Sequence, residues 1–289
     1  MQASFLSTIL LPLALAIIMM GLGLSLRGED FKRVFVFPKA VLIGLLCQMI
    51  LLPVICYFIA LGFNLTPELA VGLMLLAASP GGPTANLYSH IAKGDVALNV
   101  TLTAVNSLIS VFSITFIVNF AMQSFMQSDQ VVPLQFKKVL EVCIVVLGPV
   151  SIGMLIRSRA SKLAEKLSKP VKIASASFLV LVIVLTILKE KSHIVQDFQA
   201  VGLPTLLLNV LSMGIGYFVP QLFKLAKSQA IAIGMEIGIH NGTLAIFIAL
   251  SVIGNSAMST PAVIYSLIMF FTAAIFGYLV NINKSSAVS

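Results

Sequence analysis

Charge is scarce in this sequence: Asp, Glu, Lys and Arg make up 10% of its 289 residues, against about 25% in an ordinary soluble domain. That scarcity, beside 59% hydrophobic residues and a mean hydropathy of +1.07, excludes a soluble globule, a disordered tail and a nucleic-acid-binding domain. Tryptophan is absent, which removes one usual marker of the membrane interface and leaves Tyr57, Tyr217 and Tyr278, near expected span ends, as anchors. Cys47, Cys56 and Cys143 lie in apolar stretches without a CxxC pair or metal-ligand spacing and read as small buried hydrophobes. No HExxH pattern, suitably spaced acidic pair, nucleophile elbow or P-loop occurs, so no residue points to catalysis or to an organic cofactor. Met1 to Gly21 has no basic segment ahead of its apolar run and no usual small-residue cleavage site, the pattern of a first membrane helix and not of a removed signal.

What is present is a series of apolar runs of the roughly 20 residues a bilayer-crossing helix needs. Bounded by charge, Gly or Pro, they predict nine spans at 5–24, 35–60, 67–92, 96–120, 138–156, 173–189, 200–219, 228–251 and 259–281. The net charge of +8 is carried mostly in the connections. With the N-terminus outside, the inner side receives Arg27, Lys32, Arg33, Lys39, Lys93, Arg157, Arg159, Lys162, Lys166, Lys169, Lys172, Lys224, Lys227 and Lys284. Only Lys137, Lys138, Lys189 and Lys191 fall outside, a split of 14 to 4 among the 18 Lys and Arg that follows the positive-inside rule and makes the C-terminus cytoplasmic. The connection from Arg157 to Lys172 is the strongest contributor and is amphipathic enough to lie along the inner surface; it reads as a solvated anchor, with lipid regulation as the lesser reading.

Two expected spans differ from the rest. The third contains Ser79-Pro80-Gly81-Gly82-Pro83-Thr84-Ala85-Asn86, where two prolines lack amide donors and two glycines tolerate non-helical angles. The eighth contains Glu236-Ile237-Gly238-Ile239-His240-Asn241-Gly242-Thr243, polar residues and glycines halfway along an apolar run. Freed backbone groups in a bilayer must be satisfied, so broken helices persist where they line an enclosed cavity. A pair of breaks in corresponding positions of two halves is the best sequence pointer to a transporter binding site, with simple Pro or Gly kinks as the plain alternative. Being an odd number of spans apart, the two broken segments run in opposite directions, as an inverted repeat requires. The chain therefore reads as a single transporter domain, 1–289, with a first repeat at 5–120 (four spans, broken at 80–86) and a second at 138–281 (five spans, broken at 238–242).

Glu236 is the one acidic residue placed near mid-membrane, where a charge is costly unless paired or bound to a cation, and no equally central Lys or Arg is available. Glu141, near the outer start of its span beside Lys137 and Lys138, reaches water or a basic neighbour. A hard cation such as Na+ takes oxygen ligands, and Gln48, Asn86, Asn99, Thr103, Glu236 and Asn241 are partners of the right type, with hydrogen bonding between helices as the plain alternative for each. His240 beside Glu236 suits proton relay, anion binding when charged, or a neutral hydrogen-bonded role.

The two interrupted stretches, together with Ala97-Leu98-Asn99, resemble those of the bile acid:sodium symporter family, and the likeness extends over nearly the whole chain. The resemblance implies an all-α polytopic membrane protein: an inverted-repeat transporter with two crossed discontinuous helices, a core domain and a panel domain, in the nine-span form of a bacterial member. It implies a first sodium site at Asn86, Asn99, Thr103 and Glu236, and a second at Gln48, Glu236, His240 and the carbonyls of Ile237 and Ile239. Substrate would meet the helix crossing at Pro80, Gly81, Gly82, Thr84, Asn86, His240 and Asn241. Ala85 and Asn99 stand where characterised bacterial relatives carry serines, and His240 where they carry glutamine.

The function expected is sodium-coupled uptake of an organic anion, bile-acid-like or a small carboxylate or sulfonate, by alternating access in a bacterial inner membrane. Na+ is the coupling ion, and membrane lipid and the anion are the partners; neither nucleic acid nor an obligatory protein partner is inferred. Proton-coupled transport through Glu236 and His240, and a non-transporting membrane receptor or interaction protein, are the alternatives.

Overall fold

A computed structural model describes residues 9–126, 136–189 and 194–282. All regular structure in them is helical. In chain order the helices are α1 (Leu11–Ser25), α2 (Gly28–Lys32), α3 (Pro38–Leu46), α4 (Leu52–Gly62), α5 (Pro67–Ala78), α6 (Ala85–Ile91), α7 (Val96–Phe125), α8 (Phe136–Arg159), α9 (Ser161–Lys189), α10 (Ile194–Leu222), α11 (Lys227–Gly238), α12 (Gly242–Phe247) and α13 (Thr260–Ile282). A wide π-helical turn, Cys47–Leu51, joins α3 to α4 in one run from Pro38 to Gly62. A second π-helical segment, Ile248–Ile253, continues α12.

The described part of each expected apolar run lies in a helix or a helix pair. Among the described residues, five helices are long and apolar enough to cross a membrane, or six if α1 and the segment after it, bent by 76°, form one span. The broken segments contribute only short apolar helices, Pro67–Ala78 and Gly242–Ile253. The fold is thus a polytopic helical membrane architecture. Its outward-facing residues agree: Phe116 is 75% exposed, Phe271 74% and Leu222 79%, a density of bare apolar surface that suits lipid and not water.

One expectation is altered. The stretch 157–172 is helical and not a separate connection: α8 runs to Arg159, and α9 starts at Ser161 and continues without interruption to Lys189. Its first turns are amphipathic. Ala164 and Val171 are buried against Leu24 of α1 while Lys162, Lys166 and Lys169 stay exposed, so the basic residues ride on a helix already anchored by its apolar face. The side chains of Lys137, Lys138, Glu141, Lys172 and Lys189, together with Lys191, Lys284 and residues 1–8, lie outside the described residues.

Turn chemistry sets the helix ends that lead to the breaks. Asn64, Lys93 and Lys224 adopt φ of 48°, 60° and 59°, and the next N–H in each case reaches back five residues: Leu65 to Ala60 O at 3.1 Å, Gly94 to Ser89 O at 2.8 Å and Leu225 to Pro220 O at 3.0 Å. These left-handed caps satisfy carbonyls that α4, α6 and α10 leave open. The chain then re-enters as α5, with Pro67 in its first turn, as α7, whose first turn is capped by the Asp95 carboxylate accepting from Leu98 N at 3.0 Å, and as α11.

Candidate functional site

The two breaks meet. α5 ends at Ala78 and α11 at Gly238, and the extended backbone that follows each passes the other as an antiparallel pair centred on Gly81 and His240. Gly82 N donates to Ile239 O at 2.6 Å and Asn241 N donates to Pro80 O at 2.9 Å. Residues some 160 positions apart thus supply each other with partners that neither helix provides, as membrane burial demands. Only glycine permits the approach at position 81, since a Cβ there would overlap the Glu236 carboxylate, and at 82 it would press on His240 O.

The carbonyls freed where α5 and α11 stop are also met by amide side chains from the preceding spans. Gln48 Nε2 donates to Ala77 O at 3.2 Å and Ser79 O at 2.9 Å. Asn209 Nδ2 donates to Gly238 O at 2.9 Å, and Tyr265 from α13 donates its hydroxyl to the same oxygen at 3.0 Å. Asn241 closes the other side by accepting from Leu244 N at 3.1 Å, which caps α12.

Glu236 lies on α11 two residues before the break and is 1% exposed. Thr103 Oγ1 donates to its Oε2 at 2.6 Å, while Oε1 has no hydrogen-bond partner. Asn99, one turn before Thr103 on α7, donates Nδ2 to Ala232 O at 2.7 Å, one turn before Glu236 on α11, and its Oδ1 is left without a partner. The second group gathers on Ser79 O, which also receives His240 Nδ1 at 3.0 Å. Because that carbonyl only accepts, Nδ1 carries the proton, and in the neutral ring His240 Nε2 is an acceptor. Nε2 and Gln48 Oε1 are both buried without partners, and the imidazole stands edge-on to Tyr265, with ring centroids 5.2 Å apart.

Of the residues expected at the first site, the structure joins Asn99, Thr103 and Glu236 along one α7–α11 seam. Asn86 is not tied to them by a hydrogen bond; it sits in the first turn of α6 with a buried, unpartnered Oδ1. Of the second group, Gln48 and His240 converge on one carbonyl, Ile239 O is engaged by Gly82, and the Ile237 side chain packs with Ile43 and Cys47. Pro80 and Asn241 are in the crossing, and Thr84 faces outward before α6. Sequence reasoning missed Asn106, Asn209 and Tyr265. Asn106 stands beside the Glu236 carboxylate, and its signal was periodicity: 99, 103 and 106 share one helical face.

Buried polar groups are normally satisfied, with about 90% or more of them paired. Here the leftovers are mostly acceptors: Glu236 Oε1, Asn99 Oδ1, Gln48 Oε1, His240 Nε2. A surplus of acceptors around a carboxylate with one oxygen unpartnered could hold a cation. Oxygen ligands of this kind suit a hard cation. A separate cavity of about 700 Å³, lined by Arg27, Glu29, Ser151, Arg157 and Ser158 among others, lies at the α1–α8 end and contains none of the crossing residues.

Comparison with known proteins agrees with this geometry. Residues 12–197 match the Sodium Bile acid symporter family. The chain is 28% identical over 231 residues to an uncharacterized sodium-dependent transporter, YocS, of Bacillus subtilis, covering 80% of this chain and 70% of that protein. It is 26% identical over 252 residues to a probable sodium/metabolite cotransporter, BASS1, of Arabidopsis thaliana chloroplasts, covering 87% of this chain and 62% of that one. With the rabbit (Oryctolagus cuniculus) ileal sodium/bile acid cotransporter the identity is 24% over 276 residues, 94% of this chain and 78% of the rabbit protein. The chain therefore belongs to the sodium bile acid symporter family, a family of membrane symporters and not of enzymes.

Proposed function

We propose that this protein is a secondary active transporter that uses a sodium gradient to carry an organic anion across the membrane by alternating access. The observation that carries the reading is the crossing of two broken helices beside Glu236, a buried carboxylate with one oxygen unpartnered, in a chain of a sodium symporter family. Sodium bound at Asn99, Thr103 and Glu236, with Asn86 reached as α6 adjusts, offsets the buried charge. A second ion takes Gln48, His240 and Glu236 with the carbonyls of Ile237 and Ile239. The anion then approaches the crossing at Pro80, Gly81, Gly82, Thr84, Asn86, His240 and Asn241, toward the positive N-terminal end of Gly242–Ile253.

Alternating access calls for two halves, and the halves 5–120 and 138–281 supply them in this reading. In support, α5 and α11 are both 12 residues long and offset by 160 positions (67 to 227, 78 to 238), each entered through a left-handed turn at Asn64 or Lys224, also 160 apart. In this reading the C-terminus is cytoplasmic and the N-terminus outside, in a bacterial inner membrane, an orientation supported by the charge of the basic connections. The substrate belongs to the amphipathic or small carboxylates and sulfonates.

The test is uptake into proteoliposomes of labelled taurocholate and a panel of small carboxylates, under an inward sodium gradient and with sodium replaced by choline at fixed pH. Sodium-dependent accumulation of one of them is the expected result; equal movement with and without the gradient counts against coupling. A proton in place of one sodium is the second reading, favoured by the unpartnered His240 Nε2 at the crossing. Accumulation that persists in choline and follows an imposed pH gradient selects it.

A further inference from the structure

Asn106 is 1% exposed, and neither Oδ1 nor Nδ2 of its side chain makes a hydrogen bond. An amide buried with both ends unsatisfied is costly, so a membrane helix has reason to carry one only where something else completes it. The register of the α7–α11 seam says where that is. Asn99 bonds at Ala232 and Thr103 at Glu236, a step of four on both helices. The next turn of α7 brings Asn106 to the level at which α11 stops, beside the Glu236 carboxylate.

Of the side-chain donors named near that carboxylate, only Nδ2 of Asn106 itself is uncommitted. Asn99 Nδ2 is committed to Ala232 O, and the single Thr103 hydroxyl proton lies between Glu236 Oε2 and Asn99 O, at 2.6 and 3.0 Å. Three side-chain oxygens remain unpartnered: Glu236 Oε1, Asn99 Oδ1 and Asn106 Oδ1. The Asn106 amide donor would satisfy Glu236 Oε1 at most and leave both amide oxygens open, whereas a cation placed among the three would satisfy them all.

We propose that Asn106 is a ligand of the coupling cation, so that its site in this chain is built on the Asn99–Thr103–Asn106 face of α7 and closed by Glu236. The assignment rests on the sodium-coupled reading above and deepens it. Asn86 has no hydrogen bond to this seam, and position 85, beside it, is an alanine without a side-chain oxygen. Asn106 supplies an oxygen from the same helix as Asn99 and Thr103, which preorganises three ligands on one rigid element.

The test is a thermal-stability titration of the purified full chain with NaCl, at constant ionic strength in choline chloride and with KCl as control. Wild type, Asn106→Leu, Asn106→Asp and Thr103→Val are compared. Asn106→Leu matches the side chain in size and removes the unsatisfied amide, so its melting temperature in choline should equal or exceed wild type. Its sodium midpoint should nevertheless rise about tenfold or more, as loss of a bond to a charged group implies, while Asn106→Asp, which keeps an oxygen, retains the response. A wild-type sodium midpoint in Asn106→Leu, with a shifted one in Thr103→Val, overturns the role of Asn106 and leaves sodium coupling standing. Absence of any sodium response in wild type overturns the coupling reading and this assignment together.

Discussion

The helix crossing and the α1–α8–α9 layer are held together by opposite means. In the layer, helices approach through small residues: a Cβ on Gly23 would overlap Val150 O of α8, and one on Gly153 would press on Met20 O of α1. Leu24, Ala164 and Val171 fill the seam with α9, and the ion pair between Arg157 and Glu165, at 3.4 Å, lies at its edge. At the crossing, backbone groups bond across the breaks and Gln48, Asn209 and Tyr265 attend to the carbonyls left over. A layer closed by van der Waals packing is complete in itself. The crossing is not: its unpartnered side-chain acceptors exceed its unpartnered donors among the described residues, and that deficit is what the proposed cation would fill.

The sharpest way to break this contrast is to put the same atom into each region. Gly81→Ala places a methyl group on the Glu236 carboxylate; overpacking of about 1–3 kcal/mol should fall on ion binding, weakening sodium affinity and uptake by about 10- to 100-fold. Gly23→Ala places it on the α8 backbone, and here the cost of about 1–3 kcal/mol should appear as a lower melting temperature with the sodium midpoint unchanged. If Gly23→Ala shifts the sodium midpoint as far as Gly81→Ala does, the two regions are not separable. The smallest effect belongs to Tyr265→Phe. Gly238 O keeps its bond from Asn209, so the single change should cost about 1 kcal/mol. Adding Asn209→Leu strips the carbonyl of both donors, and a denaturation cycle should show more than the sum of the two.

The same contrast explains what could be read from the chain alone. Pro80, Gly81 and Gly82, and Gly238 with His240 and Asn241, announce their breaks because no regular apolar helix carries those residues together. Glu236 stands out because no cation of the chain lies near it in sequence. The start of α9 was hidden by its lysines: Lys162, Lys166 and Lys169 look like a connection until Ala164 and Val171 are seen to be buried on the other face. Asn106, Asn209 and Tyr265 were hidden differently. A single polar residue in an apolar run has no local signature, and its meaning depends on the carbonyl or carboxylate that packing brings beside it. That Gly81 would meet His240 was also beyond local reading, since pairing across 159 positions is a property of the packed helices.

The most direct test of the central claim, that the crossing binds sodium through Glu236, is equilibrium binding of radioactive sodium to the purified protein at constant ionic strength, for wild type and Glu236→Gln. Saturable binding to wild type that unlabelled sodium displaces and choline does not, and that is lost in a folded Glu236→Gln protein, is the result the account predicts. Undiminished binding in Glu236→Gln, or no saturable binding in wild type, would contradict it.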